Sequence, residues 1–273
     1  MDPLNRDRAP FPDSVWQRID RAAAEAAAAL LTVRRFLPVE GPFGLGLTAV
    51  EAGGEDHRDK TEGEEALAVL GASLSVPMLW RSFGLSLRRL AAHLELGHPL
   101  DLAAAENAAE AVARLEEHMA YFGDERSGLA GLLTAPGAFE LSGGDWSSLD
   151  AALCDVLAGV TRLDDAGYRG PYALVTSPHL YNGLFRRYDN SDLLQAEHLG
   201  RLCTAGIFKA NIRGAAIVDG RVGRLVVGQD LMAGFAWSDG VNCRLFLSES
   251  VVLRIDDARA VCRLAVATSP AGS

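Results

Sequence analysis

Apolar residues recur at three- and four-residue steps in several parts of the chain, a pattern typical of helices with one buried face. One such stretch runs from Asp101, a capping residue, to Phe122, and Gly123 ends it. Its predicted buried face comprises Ala105, Ala108, Ala109, Val112, Leu115, Met119 and Phe122. An alanine-rich N-terminal helix is predicted from Val15 to about Phe36. Shorter helices are predicted over residues 86–96, 146–165, 178–187 and 193–202.

Other stretches favour strands. Tyr172–Thr176 is a short apolar run, and the last third contains AAIV, RLVVGQ, VNCRLFLSESVVLRI and AVCRLAVA between turns. Between Leu45 and Val76, two loosely apolar arms flank the polar AGGEDHRDKTEGEE, which predicts a long hairpin with a charged tip. Because a two-stranded ribbon is marginal alone in water, this hairpin needs a neighbour. The order of elements predicts an α+β fold.

Composition narrows the class of protein. Of 273 residues, 49% are hydrophobic and 23% charged, a normal globular balance. The net charge of −10 argues against a general nucleic-acid binder, whose affinity depends on neutralising phosphates. The opening MDPLNRDRAPFPDS lacks the apolar core of a secretory signal, and no apolar run is long enough to cross a bilayer, which predicts a cytoplasmic protein. The four cysteines form no C-x-x-C pair, so neither a zinc site nor a disulfide framework is indicated.

Motifs for enzyme chemistry are weak. His93 and His98 are five residues apart, unlike the pair of a helical zinc motif. The letters GLGLTA at 44–49 match G-x-G-x-x-A, but a proline precedes them and a polar tip follows, where a dinucleotide site needs a strand and a helix. His179 and Asp189 are candidates for a base and its orienting acid, yet nearly three helical turns separate them. We therefore predict no catalytic residue, no metal site and no enzyme activity.

Long sequence words resemble the encapsulin shell proteins, a family also named after the bacteriocin linocin. They are GPYALVTSPHLYNGLF, LVVGQDLMAGF, VNCRLFLSES and LRI, in this order. Towards the N-terminus, RDRAPFPDSVWQRID followed by RRF-x-x-VEGPFG resembles the first helix of that family and its exit, and EEHMAYFG-x-x-x-x-GLAGLL resembles its central segment. The resemblance spans nearly the whole chain and is far more specific than any motif above.

The resemblance implies the tailed-phage major capsid protein fold (Hong Kong 97-like) and a chain with five segments. These are an N-terminal helix with the start of the peripheral domain (1–43), an extended loop (44–77), the peripheral domain with its spine helix (78–135), the axial domain (136–228) and a return to the peripheral domain (229–273). It also implies self-assembly into an icosahedral shell of sixty copies or a multiple. Assembly predicts exposed apolar groups in an isolated copy, with candidates Trp80, Phe83, Trp146, Trp237 and the leucines of the extended loop.

The resemblance also implies two sites. The first is a pore loop around the five-fold axis, whose side chains screen small molecules: Arg186, Arg187, Tyr188, Asp189, Asn190, Ser191 and Asp192. The second binds the C-terminal targeting peptide of a cargo protein, a dye-decolorising peroxidase or a ferritin-like protein. Its candidates are Leu30, Leu31, Arg34 and Leu37, with Leu253 and Ile255 from a late strand. Packing inside the subunit is the competing explanation for each apolar member.

The resemblance also bears on the cofactor and on the class of protein. Some relatives bind flavin through an aromatic residue on the short helix after the extended loop, and Arg88 occupies the matching position here, so no cofactor is predicted. A secreted bacteriocin or protease is one alternative, although neither an export signal nor a catalytic pair is visible. A true phage capsid protein with the same fold is the other. No nucleic acid and no membrane are expected as partners.

Overall fold

The structure is a computed structural model, and it describes residues 3–53, 57–59, 68–148, 150–187 and 193–266. Within these ranges there are six α-helices: α1 (Asp13–Ala28), α2 (Leu87–Leu96), α3 (Ala103–Phe122), α4 (Ala151–Asp165), α5 (Pro178–Gly183) and α6 (Gln195–Leu202). None of these helices is both long and apolar enough to cross a bilayer.

The same ranges contain fifteen strands. They are β1 (Val39–Glu40), β2 (Ala49–Glu51), β3 (His57–Asp59), β4 (Ala68–Leu70), β5 (Ser73–Ser75), β6 (Met78–Ser86), β7 (Gly123–Asp124), β8 (Leu129–Ala130), β9 (Phe139–Ser142), β10 (Tyr172–Thr176), β11 (Gly206–Lys209), β12 (Ala215–Asp219), β13 (Gly223–Ser238), β14 (Asn242–Ile255) and β15 (Val261–Ala265). The mixture of helices and sheets agrees with the predicted α+β class.

The chain divides into two compact units, each built from separate stretches of sequence. The first unit comprises Met1–Leu31, Val39–Glu117 and Val226–Val252. The second unit comprises Thr32–Pro38, His118–Leu225 and Leu253–Ser273. The division into five named segments stays a prediction.

The first unit contains α1 and most of a four-stranded sheet with the order β1-β13-β14-β6. Strand β14 pairs antiparallel with β6, and Leu245 lies opposite Phe83 on the buried face. Helix α1 buries Trp16 and Ile19. Asp20 fixes the helix, because its Oδ1 accepts hydrogen bonds from the Arg6 side chain at 2.7 Å and from the backbone N–H of Ala233 on β13 at 3.2 Å.

The second unit is organised around a five-stranded sheet with the order β11-β10-β12-β15-β9. Every residue of β10 is buried, as its continuous apolar run predicts. Helix α4 lies against this sheet at Gly159, where an added Cβ would stand 2.5 Å from Cδ1 of Ile217 and 3.5 Å from Sγ of Cys262. The glycine therefore permits close approach of the helix to the sheet.

The predicted hairpin between residues 45 and 76 is confirmed in its described parts. Strand β2 pairs antiparallel with β5, and β3 pairs antiparallel with β4. Residues 54–56 and 60–67, which include much of the charged tip, lie outside the described residues. The predicted caps of the next two helices are also found, since Gly97 ends α2 in the left-handed region and the Asp101 carboxylate accepts a hydrogen bond from the N–H of Ala103.

Some predicted boundaries are wrong. The N-terminal helix ends at Ala28 rather than near Phe36, because the N–H groups of Leu30 and Leu31 both bond to the carbonyl of Ala27 and close a turn. The chain then leaves the first unit, and Thr32 is buried with its Oγ1 2.6 Å from the Tyr121 hydroxyl. The fourth helix begins at residue 151 rather than 146, and the fifth ends at residue 183 rather than 187. Strands β1, β6, β7, β8, β9 and β11 have no counterpart among the predicted strands.

The buried face of α3 differs from the prediction in its second half. Leu115 is exposed, whereas Glu116 is buried, and Met119 and Phe122 are half-buried. After Val112 the buried face continues through positions 113, 116 and 120, a helical alternative to 115, 119 and 122. The apolar Leu115 therefore faces outward, and the acidic Glu116 takes the inward position.

Candidate functional site

The base of the predicted pore loop, in the second unit, is held by hydrogen bonds from the Arg186 side chain to backbone carbonyls. The Arg186 guanidinium donates to the carbonyls of Trp146, Ser147 and Gly183, at 2.6 Å for Ser147 and 2.9 Å for Gly183. Next to it, Arg187 forms an isolated antiparallel bridge with Leu194. The bridge joins the two sides of the predicted loop at a neck formed by Arg187 and Leu194.

The pore-loop candidates therefore differ in what they can offer a solute. The donors of Arg186 are directed to backbone carbonyls, whereas the side chain of Arg187 is exposed. Tyr188, Asp189, Asn190, Ser191 and Asp192 lie outside the described residues. His179, the candidate base, is exposed on the first turn of α5, which Ser177 caps.

The candidates for peptide binding fall in both units. In the first unit, Leu30 and Leu31 follow the end of α1 and are half-buried. In the second unit, Leu37 and Leu253 are only 5% and 7% exposed, while Arg34 and Ile255 are half-buried. Leu37 and Leu253 therefore offer little side-chain surface to a peptide, and the half-buried members offer more.

The candidates for exposed assembly groups divide evenly. Trp80 and Trp237 are 51% and 52% exposed, as predicted, whereas Phe83 and Trp146 are buried. Phe83 lies on the inward face of β6, and the Trp146 indole N–H donates to Asp155 at 2.7 Å, so both are core residues. Among the extended-loop leucines, Leu45 is exposed.

The exposed face of β6, with the neighbouring strand β14, also carries apolar residues that are not among the candidates from the sequence. Met78 is 56% exposed, and the rings of Trp80 and Phe246 stack with centroids 5.9 Å apart. Phe246 lies across Gly234, where an added Cβ would stand 2.2 Å from its ring. Met78 and Trp80, two residues apart, follow the alternation expected of a strand with one apolar face. Arg81 and Ser82 interrupt that alternation.

The second unit carries a dense polar cluster instead. Asp219 is buried and accepts hydrogen bonds from the N–H of Gly170 at 2.9 Å and from the N–H and side chain of Arg221. Burial, together with the hydrogen bond that its hydroxyl donates to Asp257 at 2.5 Å, raises the pKa of Tyr168 to about 12. Burial and a hydrogen bond to Asp164 likewise raise the pKa of Tyr172. Both tyrosines are thus neutral donors at ordinary pH.

No arrangement for metal or dinucleotide binding is found among the residues that the structure describes. No three or more His, Cys, Asp or Glu side chains are grouped there so that they could hold a metal ion. The GLGLTA stretch leads into strand β2 rather than the helix that the dinucleotide fingerprint needs. The described residues instead form exposed apolar surfaces, the neck of the predicted pore loop and a cluster of hydrogen-bonded polar side chains.

Solved structures with a similar fold form particles. The virus-like particle from Pyrococcus furiosus aligns with a TM-score of 0.71 at 21% identity, over 92% of this chain and 99% of that one. The capsid of Myoviridae phage XM1 aligns with a TM-score of 0.59 at 15% identity, over 86% and 91%. The fold is therefore that of tailed-phage capsid proteins, as predicted.

Sequence comparison identifies the family. The model of the family described as encapsulating protein for peroxidase matches residues 1–252. The type 1 encapsulin shell protein EncA of Myxococcus xanthus is 30% identical over 268 residues, covering 93% of each chain. A diheme-cytochrome-encapsulin shell fusion protein of Kuenenia stuttgartiensis is 30% identical over 261 residues, covering 91% of this chain and 72% of that one. This chain belongs to the encapsulin family of shell proteins.

Proposed function

We propose that this chain assembles into a closed icosahedral nanocompartment in the cytoplasm, built from sixty copies or a multiple. Its cargo is a dye-decolorising peroxidase or a ferritin-like protein, held through a C-terminal targeting peptide. The family description, an encapsulating protein for peroxidase, supports the first kind of cargo. Pores bounded by the loop from Arg186 to Asp192 admit small molecules and retain the cargo.

The observation that carries the assembly proposal is the exposed apolar surface of the first unit. Met78 and Trp80 share one face of β6, where more than half of each residue is exposed. Soluble proteins that remain monomeric rarely expose such contiguous apolar groups, and larger patches mark interaction surfaces. A shell needs several such contacts per copy, each burying on the order of 1,600 Å². Heterologous contacts of this kind close into rings and shells by symmetry.

Electron microscopy of the purified chain, expressed without any partner, tests assembly. Uniform hollow particles roughly twenty or more nanometres across are expected, since closed symmetric contacts fix the particle size. A chain that remains a monomer or a small oligomer at every concentration and salt condition would contradict the proposal.

Cargo binding is tested separately at Leu31, which follows α1 and is half-buried. The substitution Leu31→Asp is expected to leave hollow particles intact and to lower the loading of a co-expressed peroxidase bearing its targeting peptide, because a carboxylate opposes an apolar peptide contact. Several tails on one oligomeric cargo add avidity, so a monomeric reporter carrying one tail gives the cleaner measurement.

Ala24→Asp is the matched control, since it places the same charge at an exposed position of α1. It is expected to load cargo like the unmodified chain. If Leu31→Asp abolishes the particles, Leu31 belongs to the core of the subunit; if particles and loading are both unchanged, the peptide binds elsewhere.

A further inference from the structure

A cleft of about 740 Å³ lies within the second unit and belongs to neither predicted site. Its floor is formed by β12 and β15, and one wall is the last turn of α3. On β15, Cys262 and Leu264 face α4 at Gly159, so the intervening Arg263 points to the other side of the sheet, into the region of the cleft. The volume is in the range of small-molecule sites.

Two guanidinium groups and one carboxylate line this cleft. Arg263 donates through Nη1 to the carbonyl of Leu133 at 2.9 Å, and its Nη2 lies 3.4 Å from Oε2 of Glu140. Its Nε is buried and has no hydrogen-bond partner among the described residues. Arg213 is exposed, also without a partner in the described part of the chain. The cleft is thus locally cationic in a chain with a net charge of −10.

An aromatic wall lies beside these cations. His118 and Phe122, one turn apart on α3, have ring centroids 5.1 Å apart. Phe122 is half-buried, and the nearby Ile212 is buried, so this side of the cleft is apolar. The exposed guanidinium of Arg213, and that of Arg263 once Glu140 moves away from its Nη2, are well shaped to bind a carboxylate or phosphate, and an aromatic wall binds a planar apolar body.

We infer that this cleft binds a small aromatic anion, with its charged group on Arg213 and Arg263 and its ring against Phe122. The Glu140 side chain is 64% exposed, so it can turn into solvent when an anion approaches the Arg263 edge. Such a site gives the shell protein a small-molecule ligand in addition to any cargo, and the inference does not depend on which cargo is enclosed.

Calorimetric titration of the assembled full-length shell with phenyl phosphate tests the inference. Binding is expected, with a dissociation constant at least about tenfold lower than that for inorganic phosphate, and benzyl alcohol is expected not to bind measurably, because both the anion and the ring are required. Arg213→Gln is expected to raise the dissociation constant for phenyl phosphate about tenfold through loss of one charge-assisted contact.

Arg201→Gln is the matched control, because Arg201 is an exposed arginine of the second unit on α6, outside the cleft. It is expected to bind phenyl phosphate as the unmodified shell does. Equal affinities in Arg213→Gln and Arg201→Gln shells would overturn the inference. So would binding confined to the disassembled chain, which would show that a neighbouring copy covers the cleft.

Discussion

The two units of the chain expose apolar surface to very different extents. Of thirteen large apolar side chains that are exposed among the described residues, eleven lie in the first unit: Val39, Phe43, Leu45, Val69, Met78, Trp80, Leu94, Leu96, Leu115, Trp237 and Val241. Only Leu157 and Phe185 lie in the second unit. Since exposed apolar surface favours association, the first unit is the part whose surface we expect neighbouring copies to cover.

The second unit instead exposes few large apolar side chains and pairs several of its polar groups internally. Its strand β10 is buried throughout, and Asp219, Tyr168 and Tyr172 pair with arginine, aspartate and backbone partners inside the same unit. A substitution there is expected to change the stability of the unit, whereas a substitution on the exposed face of the first unit is expected to change assembly. This contrast separates folding from association within one chain.

The largest expected effect is loss of particles in Trp80→Asp. Trp80 is about half exposed, so burial of its remaining surface at a contact, roughly 100 Å², contributes about 2.5 kcal/mol per copy. A buried carboxylate adds a desolvation cost, and every copy in a closed shell carries the change. Light scattering and microscopy are expected to show monomers or small oligomers, while circular dichroism remains that of the folded chain.

Leu157→Asp sharpens this comparison. Leu157 is 50% exposed, nearly the same fraction as Trp80, but lies on α4 of the second unit. Particles are expected to form in this variant at a protein concentration at which Trp80→Asp does not assemble. If both variants lose assembly equally, the proposed difference in role between the two units is wrong.

Much of this architecture can be predicted from the sequence, because the residue pattern is strong wherever a helix or strand is determined by its own residues. The continuous apolar run at 172–176 forms a fully buried strand, and Gly97 and Gly123 end helices in the left-handed region that they tolerate. The residue pattern does not predict strands whose formation depends on pairing with distant parts of the chain. Strand β6 pairs with β14 across more than 150 positions of sequence, and its residues do not alternate cleanly.

The candidate sites are predictable to a smaller degree. Trp80 and Trp237 are exposed but Phe83 and Trp146 are not, because exposure depends on which face of β6 is inward and on the indole partner Asp155. The presence of an aromatic residue in the sequence indicates neither the inward face of the strand nor the partner of the indole. Arg263 and Phe122 also come together only through the fold, so the cleft has no sequence pattern of its own.

A destabilising change in the second unit is expected from Gly159→Val. The first added carbon would already stand 2.5 Å from Cδ1 of the buried Ile217, so Ile217 must change rotamer or α4 must shift from the sheet, at a cost of about 1–3 kcal/mol. Urea unfolding in the Trp80→Asp background measures this cost without the mass action of assembly. Gly200→Val is the matched control, since nothing lies within 4 Å of an added Cβ there, and its effect is expected to stay within about 0.5 kcal/mol.

The smallest expected effect is that of Asp219→Asn, at about 1–2 kcal/mol from weakened charge-assisted hydrogen bonds. Burial by itself raises the pKa of Asp219, but hydrogen bonds from the Arg221 side chain and from the N–H groups of Arg221 and Gly170 outweigh it and hold the pKa below its ordinary value of 3.8. The ionised carboxylate therefore stabilises the second unit above pH 3.8, and this contribution is lost as the pH falls through the lower folded-state pKa.

The pH dependence distinguishes this charge effect from a change of shape. The difference in unfolding free energy between the unmodified chain and Asp219→Asn, both in the Trp80→Asp background, is expected to be constant near neutral pH. It is expected to shrink below pH 3.8, because the wild-type carboxylate becomes protonated. Asp165→Asn, at an exposed aspartate that ends α4, is expected to change stability little. A penalty for Asp219→Asn that persists unchanged in acid would show that the asparagine disturbs packing at β12 instead.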